Sequence, residues 1–404
     1  MAKRNWPRFR SWKTGALCVA TVLTLVSSLT LYIYGPGNIG RFVASLWTSS
    51  YKSVLDLARS QPEVLSSVED YIKLRVSARR IATGQEKAAE WKDTISAIEK
   101  KYGVPAETLV SIWGIESNFG KNMGDHSVLG SLAALADGGH RSDYFRAELW
   151  AAEEMIRDGH AKKSQMTGSW AGAIGQTQFM PSNFLTYAVD QDGDGRKDLW
   201  NSVPDSLAST ANFLKEKGWR RGGDWGYEVK LPAGFDFGKV WKKNASMTLR
   251  DWGKLGVTRV TGKPLPQTTE AARFYQPAGG NGPVFLVLKN FEVIKRYNNA
   301  DSYALAVAHL ADRIEGGTEF VQAWPADMMP LTREERRELE DLMADKGYDA
   351  SKADGILSPA GRLAIIKFQK REGLLADGHP SRALLQRLRS ASQISSSKTS
   401  KAGS

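Results

Sequence analysis

A single carboxylate stands inside an apolar stretch of the chain. The residues from 111 to 120 read S-I-W-G-I-E-S-N-F-G, with Glu116 as the only acid. Apolar side chains recur there at helical spacing, and Gly120 is suited to end the helix. A carboxyl group near the end of an apolar helix loses part of its hydration, which raises its pKa and retains its proton near neutral pH. Glu116 is therefore a candidate general acid for glycosidic bond cleavage, although a helix whose one Glu points to solvent gives the same pattern.

A second stretch combines small residues with side-chain amides. Residues 169–182 read S-W-A-G-A-I-G-Q-T-Q-F-M-P-S. Glycine and alanine let a backbone approach a bulky ligand closely, and the amides of Gln176 and Gln178 can both donate and accept hydrogen bonds. This composition favours the wall of a sugar-binding cleft. The alternative is a tight turn before a packed helix, with both glutamines in solvent.

Residues 190–201 have the spacing of an EF-hand-type calcium loop. They read D-Q-D-G-D-G-R-K-D-L-W-N, with acids at loop positions 1, 3 and 5 and Gly195 at position 6. Asn201 stands where a bidentate Glu is usual, so a nearby acid must replace it. The pattern predicts a structural Ca²⁺ site, with a solvated acidic loop as the alternative. Its candidate ligands are Asp190, Asp192, Asp194, the backbone of Arg196, Asp198 and Asp205.

The composition is that of a globular protein with a basic surface. The 404 residues are enough for two domains and carry a formal net charge of +11, which suits an acidic polymer or an anionic surface. The sequence contains no zinc-finger spacing and no RNA-binding motif, so nucleic acid is not an expected partner. Cys18 is the single cysteine, which excludes intramolecular disulfides. We expect a monomer without an organic cofactor.

The N-terminus, residues 1–35, has the pattern of an export signal or a membrane anchor. Lys and Arg are the only charged residues between positions 3 and 13, and Thr14–Tyr34 is uncharged and long enough to span a bilayer. No A-x-A site follows directly, so a cleaved signal and an uncleaved inner-membrane anchor both remain open. Either one places the chain from about residue 36 onward in the periplasm or cell envelope.

The hydrophobic spacing predicts a mainly α protein with a small β element. Helical patterns dominate residues 50–218, and one of them predicts a helix from about Glu86 to Tyr102. Loops and short strands occupy residues 219–290, and Phe291–Arg313 is helical again. We assign residues 50–318 to a catalytic domain and residues 328–390 to a small three-helix C-terminal module. Thr332 with Glu335 three residues on predicts a capping box at the start of its first helix. The Ser- and Lys-rich residues 391–404 are predicted to be a disordered tail.

Several of these segments, taken together, resemble membrane-bound lytic murein transglycosylases of the B type. The resemblance covers about residues 55–315 and rests on four motifs in the family's order. These are E-S-N-F-G at 116–120, residues 169–182, the loop at 190–200 and R-Y-N at 296–298. The stretch A-D-G-I-L-S-P at 353–359, with residues 368–378, resembles the peptidoglycan-binding module of envelope enzymes, with Ser358 where that module usually has a glycine.

The resemblance implies a lysozyme-like catalytic domain that cleaves the β-1,4 bond between N-acetylmuramic acid (MurNAc) and N-acetylglucosamine (GlcNAc), leaving a 1,6-anhydro end. It implies that Glu116 is the catalytic acid and base and that the first three acids of the loop, with Arg196, bind calcium. Gln176 does not come from the resemblance. We include it among the candidate substrate-binding residues because its amide can both donate and accept hydrogen bonds. The residues that match glycan-binding positions of the family are Ser169, Gln178, Tyr297, Asn298 and Tyr303.

One carboxylate is enough for this reaction, because the sugar supplies its own nucleophile. Glu116 protonates the glycosidic oxygen and then accepts the proton of the muramyl C6 hydroxyl, which closes onto C1. The substrate's acetamido group can stabilise the developing cation. Two other functions remain open at this stage: a lysozyme-type muramidase, which is a hydrolase, and a non-catalytic cell-wall-binding protein.

Overall fold

The computed structural model describes residues 53–57, 67–138, 141–326, 329–348 and 354–390. The predicted export or anchor segment, Cys18 within it, and the predicted tail at 391–404 lie outside these ranges. Among the helices inside them, none has both the length and the apolar character that crossing a membrane requires.

Helices make up about half of the described residues, and the fold is mainly α as predicted. A short helical segment at 53–57 comes first. The helices before the β region are α1 (Val68–Arg75), α2 (Ala78–Glu90), α3 (Lys92–Tyr102), α4 (Ala106–Ser117), α5 (Val128–Gly138), α6 (Ser142–Arg157), α7 (Pro181–Tyr187) and α8 (Val203–Glu216). Those that follow are α9 (Phe237–Lys242), α10 (Leu249–Lys254), α11 (Lys289–Ile294), α12 (Asp301–Glu315), α13 (Arg333–Asp345) and α14 (Pro359–Arg371), and residues 382–390 are also helical.

The β element is larger than the sequence indicated. Strands β1 (His126–Ser127) and β2 (Thr167–Gly168) form a small antiparallel pair. The other strands form one antiparallel sheet in the order β4-β6-β7-β3-β5. They are β3 (Gly226–Lys230), β4 (Ser246–Thr248), β5 (Thr258–Arg259), β6 (Ala271–Tyr275) and β7 (Phe285–Val287). The strand β6 was not predicted, because A-A-R-F-Y is short and has no turn signal directly before it.

The helix α4 is the centre of the largest hydrophobic core. Its side chains from Thr108 to Ile115 are buried on all sides, which is why an apolar run without an exposed face is stable here. The helix α12 packs along it, and the Ser111 hydroxyl donates a hydrogen bond to the Val307 carbonyl over 2.7 Å. The helix ends earlier than predicted, because Asn118 adopts the left-handed conformation (φ 52°) before Gly120 is reached.

Two helical predictions were too long. The pattern from Glu86 to Tyr102 belongs to two helices, because the chain turns at Trp91 between α2 and α3. The tract Phe291–Arg313 is likewise interrupted between α11 and α12.

A cluster of four charges anchors the first turn of α12. The Arg273 guanidinium on β6 contacts the carboxylates of Glu292 and Asp301, each at 2.7 Å, and the Lys295 ammonium lies 2.8 Å from Asp301. The cluster therefore connects the sheet, α11 and the beginning of α12.

The predicted C-terminal module has its own core. Leu339, Phe368 and Leu385 are fully buried in it, one from each of its helices. Thr332 and Glu335 form the expected capping box at the start of α13. The module lies directly against the β region, because Ile366 of α14 is part of the same cluster as Trp241 and Phe274.

A buried carboxyl group lies near the other end of α12. Burial raises the pKa of Asp312 to about 7, and the neighbouring Asp224 and Glu315 contribute in the same direction. The Trp225 indole N–H donates to both of its oxygens, at 3.0 and 3.2 Å, which partly opposes the shift.

We expect Asp312→Asn to stabilise the protein in a pH-dependent way. A carboxyl group whose pKa is raised on folding makes the folded state less stable as the pH rises from the group's unfolded pKa of about 4 to its folded pKa of about 7. Asparagine cannot ionise and can still accept from Trp225. The gain in melting temperature over wild type should therefore grow across this range and level off above it. The exposed Asp158→Asn is the control, and a gain that is independent of pH would contradict the assignment.

Candidate active site

Glu116 is held by a buried tyrosine. It lies in the last turn of α4 and is half-buried, and the Tyr303 hydroxyl donates a hydrogen bond to its carboxylate over 2.5 Å. Tyr303 belongs to the first turn of α12 and is only 2% exposed. Burial and the adjacent Glu116 carboxylate raise the pKa of Tyr303 well above its usual value, so the hydroxyl remains protonated and donates. The position of the candidate acid is thereby fixed from the core side.

This geometry corrects the prediction for Tyr303. The sequence placed it among the substrate-binding residues, whereas the structure places its ring in the core and its hydroxyl on Glu116. Helix α12 presents this side chain inward, because its first turns pack against α4. Tyr303 is therefore a positioning residue for the acid.

Residues 168–180 form the compact segment that we call the cleft wall. Antiparallel bridges join Gly168 to Ile174 and Ile174 to Phe179. The Ser117 hydroxyl donates to the Gln176 carbonyl and accepts from the Gly120 N–H at 2.8 Å. The residue after the candidate acid therefore ties the end of α4 to the cleft wall.

Gln176 packs in the interior of this segment. Its side chain is 5% exposed and lies against Gly120, where a Cβ atom would come within 2.7 Å of the amide oxygen. The expectation that Gln176 offers its amide to the substrate is wrong for this geometry. In the sequence, Gln176 and Gln178 stand two residues apart and appear equivalent as ligands for a sugar. In this tight loop, however, their side chains point in different directions.

Gln178 and Ser169 support the loop and retain some capacity for a ligand. The Gln178 amide nitrogen donates to the Met123 carbonyl at 3.0 Å and to the Gly175 carbonyl at 2.8 Å, so both amide hydrogens are engaged. Its amide oxygen can still accept a hydrogen bond. The Ser169 hydroxyl accepts from the Ala173 N–H at 3.0 Å and can still donate.

Tyr297 holds the cleft wall from the opposite side. It lies between α11 and α12, and its hydroxyl donates to the Thr177 carbonyl over 2.6 Å. Its ring packs against Phe179 and Phe213. Asn298, the next residue, is exposed. The structure thus brings the segments of Glu116, Gln178 and Tyr297 together, although much of their polar capacity is used within the protein.

Glu148 is a supporting residue that the sequence analysis missed. It is 3% exposed, and its carboxylate accepts from the N–H and hydroxyl of Ser182 at 2.9 and 2.7 Å. This fixes the start of α7, directly after the cleft wall. Its spacing from the buried Ala151, Ala152 and Met155 on α6 could have indicated that it lies on the inner face.

Three acids of the predicted calcium loop converge. One carboxylate oxygen from each of Asp190, Asp192 and Asp194 lies within 4.8 Å of the others. Asp190 also accepts from the N–H groups of Gly193 and Gly195, at 2.6 and 2.9 Å, which shapes the turn. The hard oxygen donors and the tight turn fit a Ca²⁺ ion.

Two predicted ligands lie outside this cluster. Asp205 is fully buried and accepts from the N–H groups of Gln191 and Asp198 at 2.7 and 2.9 Å. The Asp198 carboxylate accepts from the N–H groups of Trp200 and Asn201, both at 2.9 Å. Both acids brace the loop from within. Backbone N–H groups donate to both Asp205 oxygens and to Asp198 Oδ1, and the Asn201 side-chain amide donates to Asp198 Oδ2. Arg196 has its N–H on Asp194 at 2.8 Å.

Two family models match the chain. Residues 38–312 match the transglycosylase SLT domain, and residues 332–388 match a peptidoglycan binding domain.

Characterised relatives agree with these matches. The chain is 33% identical over 231 residues to membrane-bound lytic murein transglycosylase B of Escherichia coli K12, covering 56% of this chain and 61% of that relative. Pseudomonas aeruginosa SltB3, solved in complex with NAG-anhNAM-pentapeptide, is 45% identical, with 84% and 90% of the two chains covered and a TM-score of 0.78. Escherichia coli Slt35, solved in complex with calcium, is 28% identical, with 70% and 89% covered and a TM-score of 0.56.

We expect Tyr303→Phe to slow bond cleavage with little effect on folding. Without the hydroxyl, Glu116 loses the group that orients it, and a small displacement of a reacting group can cost about 10²-fold in rate. In steady-state kinetics kcat should fall by about 10- to 100-fold while KM and the melting temperature change little. Tyr275→Phe, a buried tyrosine outside this site, is the matched control. An unchanged kcat for Tyr303→Phe would refute the positioning role.

Proposed function

Because the chain belongs to the transglycosylase SLT family, we propose that it is a lytic transglycosylase acting on peptidoglycan. It cleaves the β-1,4 bond between MurNAc and GlcNAc and forms 1,6-anhydro-MurNAc. The observation that carries this proposal is the geometry of Glu116, a half-buried carboxylate fixed by Tyr303 beside the cleft wall.

The surroundings of Glu116 support a mechanism with one carboxylate. A glycoside hydrolase usually needs a second acid as base or nucleophile. The cleft wall contains no Asp or Glu. Asp301, close to Tyr303 in sequence, is engaged by Arg273 and Lys295 at 2.7 and 2.8 Å. Glu148 is buried and binds Ser182. These acids are committed to structural contacts, which leaves Glu116 to act first as the acid and then as the base.

The reaction needs Glu116 in both protonation states without a change of position. As the acid it donates its proton to the glycosidic oxygen, and the bond to C1 breaks. As the base it then accepts the proton of the C6 hydroxyl, whose oxygen forms the new bond to C1. The Tyr303 hydroxyl stabilises the carboxylate formed between these steps, since a hydrogen bond to the ionised form favours it. Water need not enter.

The proposed substrate follows from several observations. The relative SltB3 was solved with a peptidoglycan fragment that carries an anhydro sugar. The C-terminal module matches a peptidoglycan binding domain. The net charge of +11 favours an anionic polymer of this kind.

The same relatives favour a place of action in the cell envelope. The Escherichia coli relative is membrane-bound by name. We infer that the uncharged segment at 14–34 serves as an export signal or as an inner-membrane anchor, and that the catalytic domain works in the periplasm.

We also infer that the loop at 190–201 binds one structural Ca²⁺ ion. The supporting observation is the convergence of the Asp190, Asp192 and Asp194 carboxylates, which repel one another unless a cation neutralises them. Slt35, a relative solved with calcium, adds support. The ion would be held by these three acids and would stabilise the turn before α8.

The masses of the released muropeptides test the proposed function. Purified cell-wall sacculi digested by wild type should release muropeptides with anhydro ends, each lighter by one water than the corresponding reducing end. Glu116→Gln should abolish release because glutamine cannot transfer the proton, and Glu107→Gln on the same helix is the matched control. Reducing ends would indicate a muramidase instead. If wild type leaves the sacculi intact, the protein is a non-catalytic wall-binding protein.

Calcium removal should affect stability more than catalysis. We expect EDTA to lower the melting temperature and added Ca²⁺ to restore it, while the rate at a temperature where the fold persists changes little. Asp194→Asn should weaken this response, because it removes one charge from the cluster. Asp236→Asn, another exposed aspartate that accepts a backbone hydrogen bond, should retain it. A wild-type melting temperature that does not respond to EDTA or Ca²⁺ would exclude the site.

A further inference from the structure

More than half of the net charge of the chain lies in one short segment of the β region. Residues 239–263 contain seven Lys or Arg residues and one acid, Asp251, which gives this segment a net charge of +6. Residues 1–52 contribute +7, so the rest of the chain, at −2, is slightly acidic. Outside the N-terminal segment, the positive charge is therefore concentrated in one place and is not a general property of the surface.

The two helices of this segment, α9 and α10, cover the same face of the five-stranded sheet. Trp241 of α9 and Trp252 of α10 both pack against Phe274 of β6, at 6.2 and 5.6 Å between ring centroids. Successive side chains of a strand point to opposite faces, and the next residue, Tyr275, packs with Phe285 against the helical core. The sheet therefore lies between these two helices and the core that contains α4.

The outward side of both helices is basic. On α9 the buried side chains are Phe237, Val240 and Trp241, and on α10 they are Leu249 and Trp252. The positions between and after them point to solvent, because side chains three and four residues apart share one side of a helix. The exposed cations at these positions form what we call the basic face: Lys239, Lys242, Lys243, Arg250 and Lys254.

The lysines of α9 and its C-terminus are not neutralised within the described part of the chain. Lys254 lies 2.9 Å from Asp251, the one acid of the segment. Lys239, Lys242 and Lys243 form no ion pair with any residue that the structure describes. The preceding acid, Asp236, instead accepts from the N–H of Gly238 at 3.0 Å. These ammonium groups are therefore available to an external anion.

The basic face is suited to an anionic surface rather than to a polymer held in a groove. The aromatic side chains of residues 239–263, all of which the structure describes, are Trp241 and Trp252, and both are buried. They cannot stack on a sugar ring or a nucleic acid base. Four of the five cations are lysines, whose ammonium groups attract phosphates without requiring a fixed geometry. Clusters of about four to eight such residues are typical of proteins that bind anionic lipid headgroups.

The length of the chain before the fold allows this face to reach a bilayer. Eighteen residues, 35–52, separate the uncharged segment at 14–34 from the first residue that the structure describes. Such a stretch spans up to about 60 Å when extended. A compact chain of this size has a radius of gyration of about 20 Å. An anchored catalytic domain can therefore turn any side toward the membrane, and its charge distribution selects the side.

We propose that the basic face docks on anionic phospholipid headgroups at a membrane surface of the cell envelope. This proposal rests on the proposed place of action, because only a protein of the envelope meets that surface. The attraction is electrostatic, so it weakens as the salt concentration rises. The cleft wall contains no charged residue, and the sheet separates the basic face from the core that holds Glu116. Docking therefore does not use the groups that cleave the glycan.

The test is chemical footprinting of the full chain reconstituted in two kinds of vesicle. One kind contains phosphatidylglycerol in phosphatidylcholine and the other contains phosphatidylcholine alone, so the uncharged segment meets a bilayer in both. Acetylation of Lys239, Lys242 and Lys243, followed by mass spectrometry, should be about fivefold or more slower on the anionic vesicles. Salt at about 1 M should remove the difference. The exposed Lys163 is the internal control, and equal acetylation of the three lysines on both vesicles overturns the proposal.

Two double charge reversals provide matched variants. Lys243→Glu with Arg250→Glu changes the basic face, whereas Lys92→Glu with Lys100→Glu makes the same change in net charge on α3. On anionic vesicles the first variant should lose the protection of Lys239 and the second should retain it. Both should melt close to wild type, because all four substituted residues are exposed. Protection that survives in the first variant overturns the proposal.

A separate measurement distinguishes this proposal from the proposed function. In detergent without vesicles, Lys243→Glu with Arg250→Glu should release anhydro muropeptides from sacculi at the wild-type rate. Anhydro products without lipid-dependent protection remove the docking proposal and leave the proposed function intact. Lipid-dependent protection without anhydro products supports docking and refutes the proposed function. If sacculi protect the three lysines and vesicles do not, the partner is the wall polymer and the docking proposal is overturned.

Discussion

The site depends on one hydrogen bond, from the buried Tyr303 hydroxyl to Glu116. A group that must both donate and accept a proton cannot be fixed by a strong cation, which would hold it ionised. A neutral hydroxyl donor fixes the carboxylate without that penalty. The geometry of this hydrogen bond depends on how α12 packs on α4. The buried contact from Ser111 to Val307 and the Arg273 cluster at the start of α12 both define that packing. The packing of the helical core therefore determines the distance between the Tyr303 hydroxyl and the Glu116 carboxylate.

Three of the six non-glycine residues with positive φ in the described part of the chain lie around the same carboxylate. Asn118, Phe119 and Gln178 have positive φ values of 52°, 60° and 52°. The left-handed conformation costs about 1–2 kcal/mol for a residue with a Cβ atom. The contacts of Ser117 and Tyr297 with the cleft wall offset this cost, because they hold the wall at both sides. Local strain of this kind keeps the loop in one conformation, which a pre-organised site requires.

The sequence was informative where short motifs encode geometry directly. Helical periodicity located α4 and the module's helices, the capping box marked α13, and the spacing of three aspartates indicated a cluster that the structure brings together. It failed where the partner is distant in sequence. No local pattern shows that Tyr303 turns inward to Glu116, that Gln176 is buried against Gly120, or that Asp205 is saturated by backbone N–H groups. The strand β6 was missed because its sequence is short and has no turn signal directly before it, and because its pairing with β4 and β7 is non-local.

The C-terminal module is docked on the catalytic domain, and this affects how binding of the module to a polymer acts on the catalytic domain. A binding domain joined through a flexible linker raises only the local concentration of its target. Here Asp377 of the module accepts a hydrogen bond from the Gly280 N–H, and Ile366 packs in the same cluster as Trp241 and Phe274, so the module is docked on the catalytic domain. Under the proposed function, a glycan strand bound to the module therefore reaches the catalytic domain in a fixed orientation. The contacts between the two parts thus bear on the orientation of the bound polymer as well as on how often it is encountered.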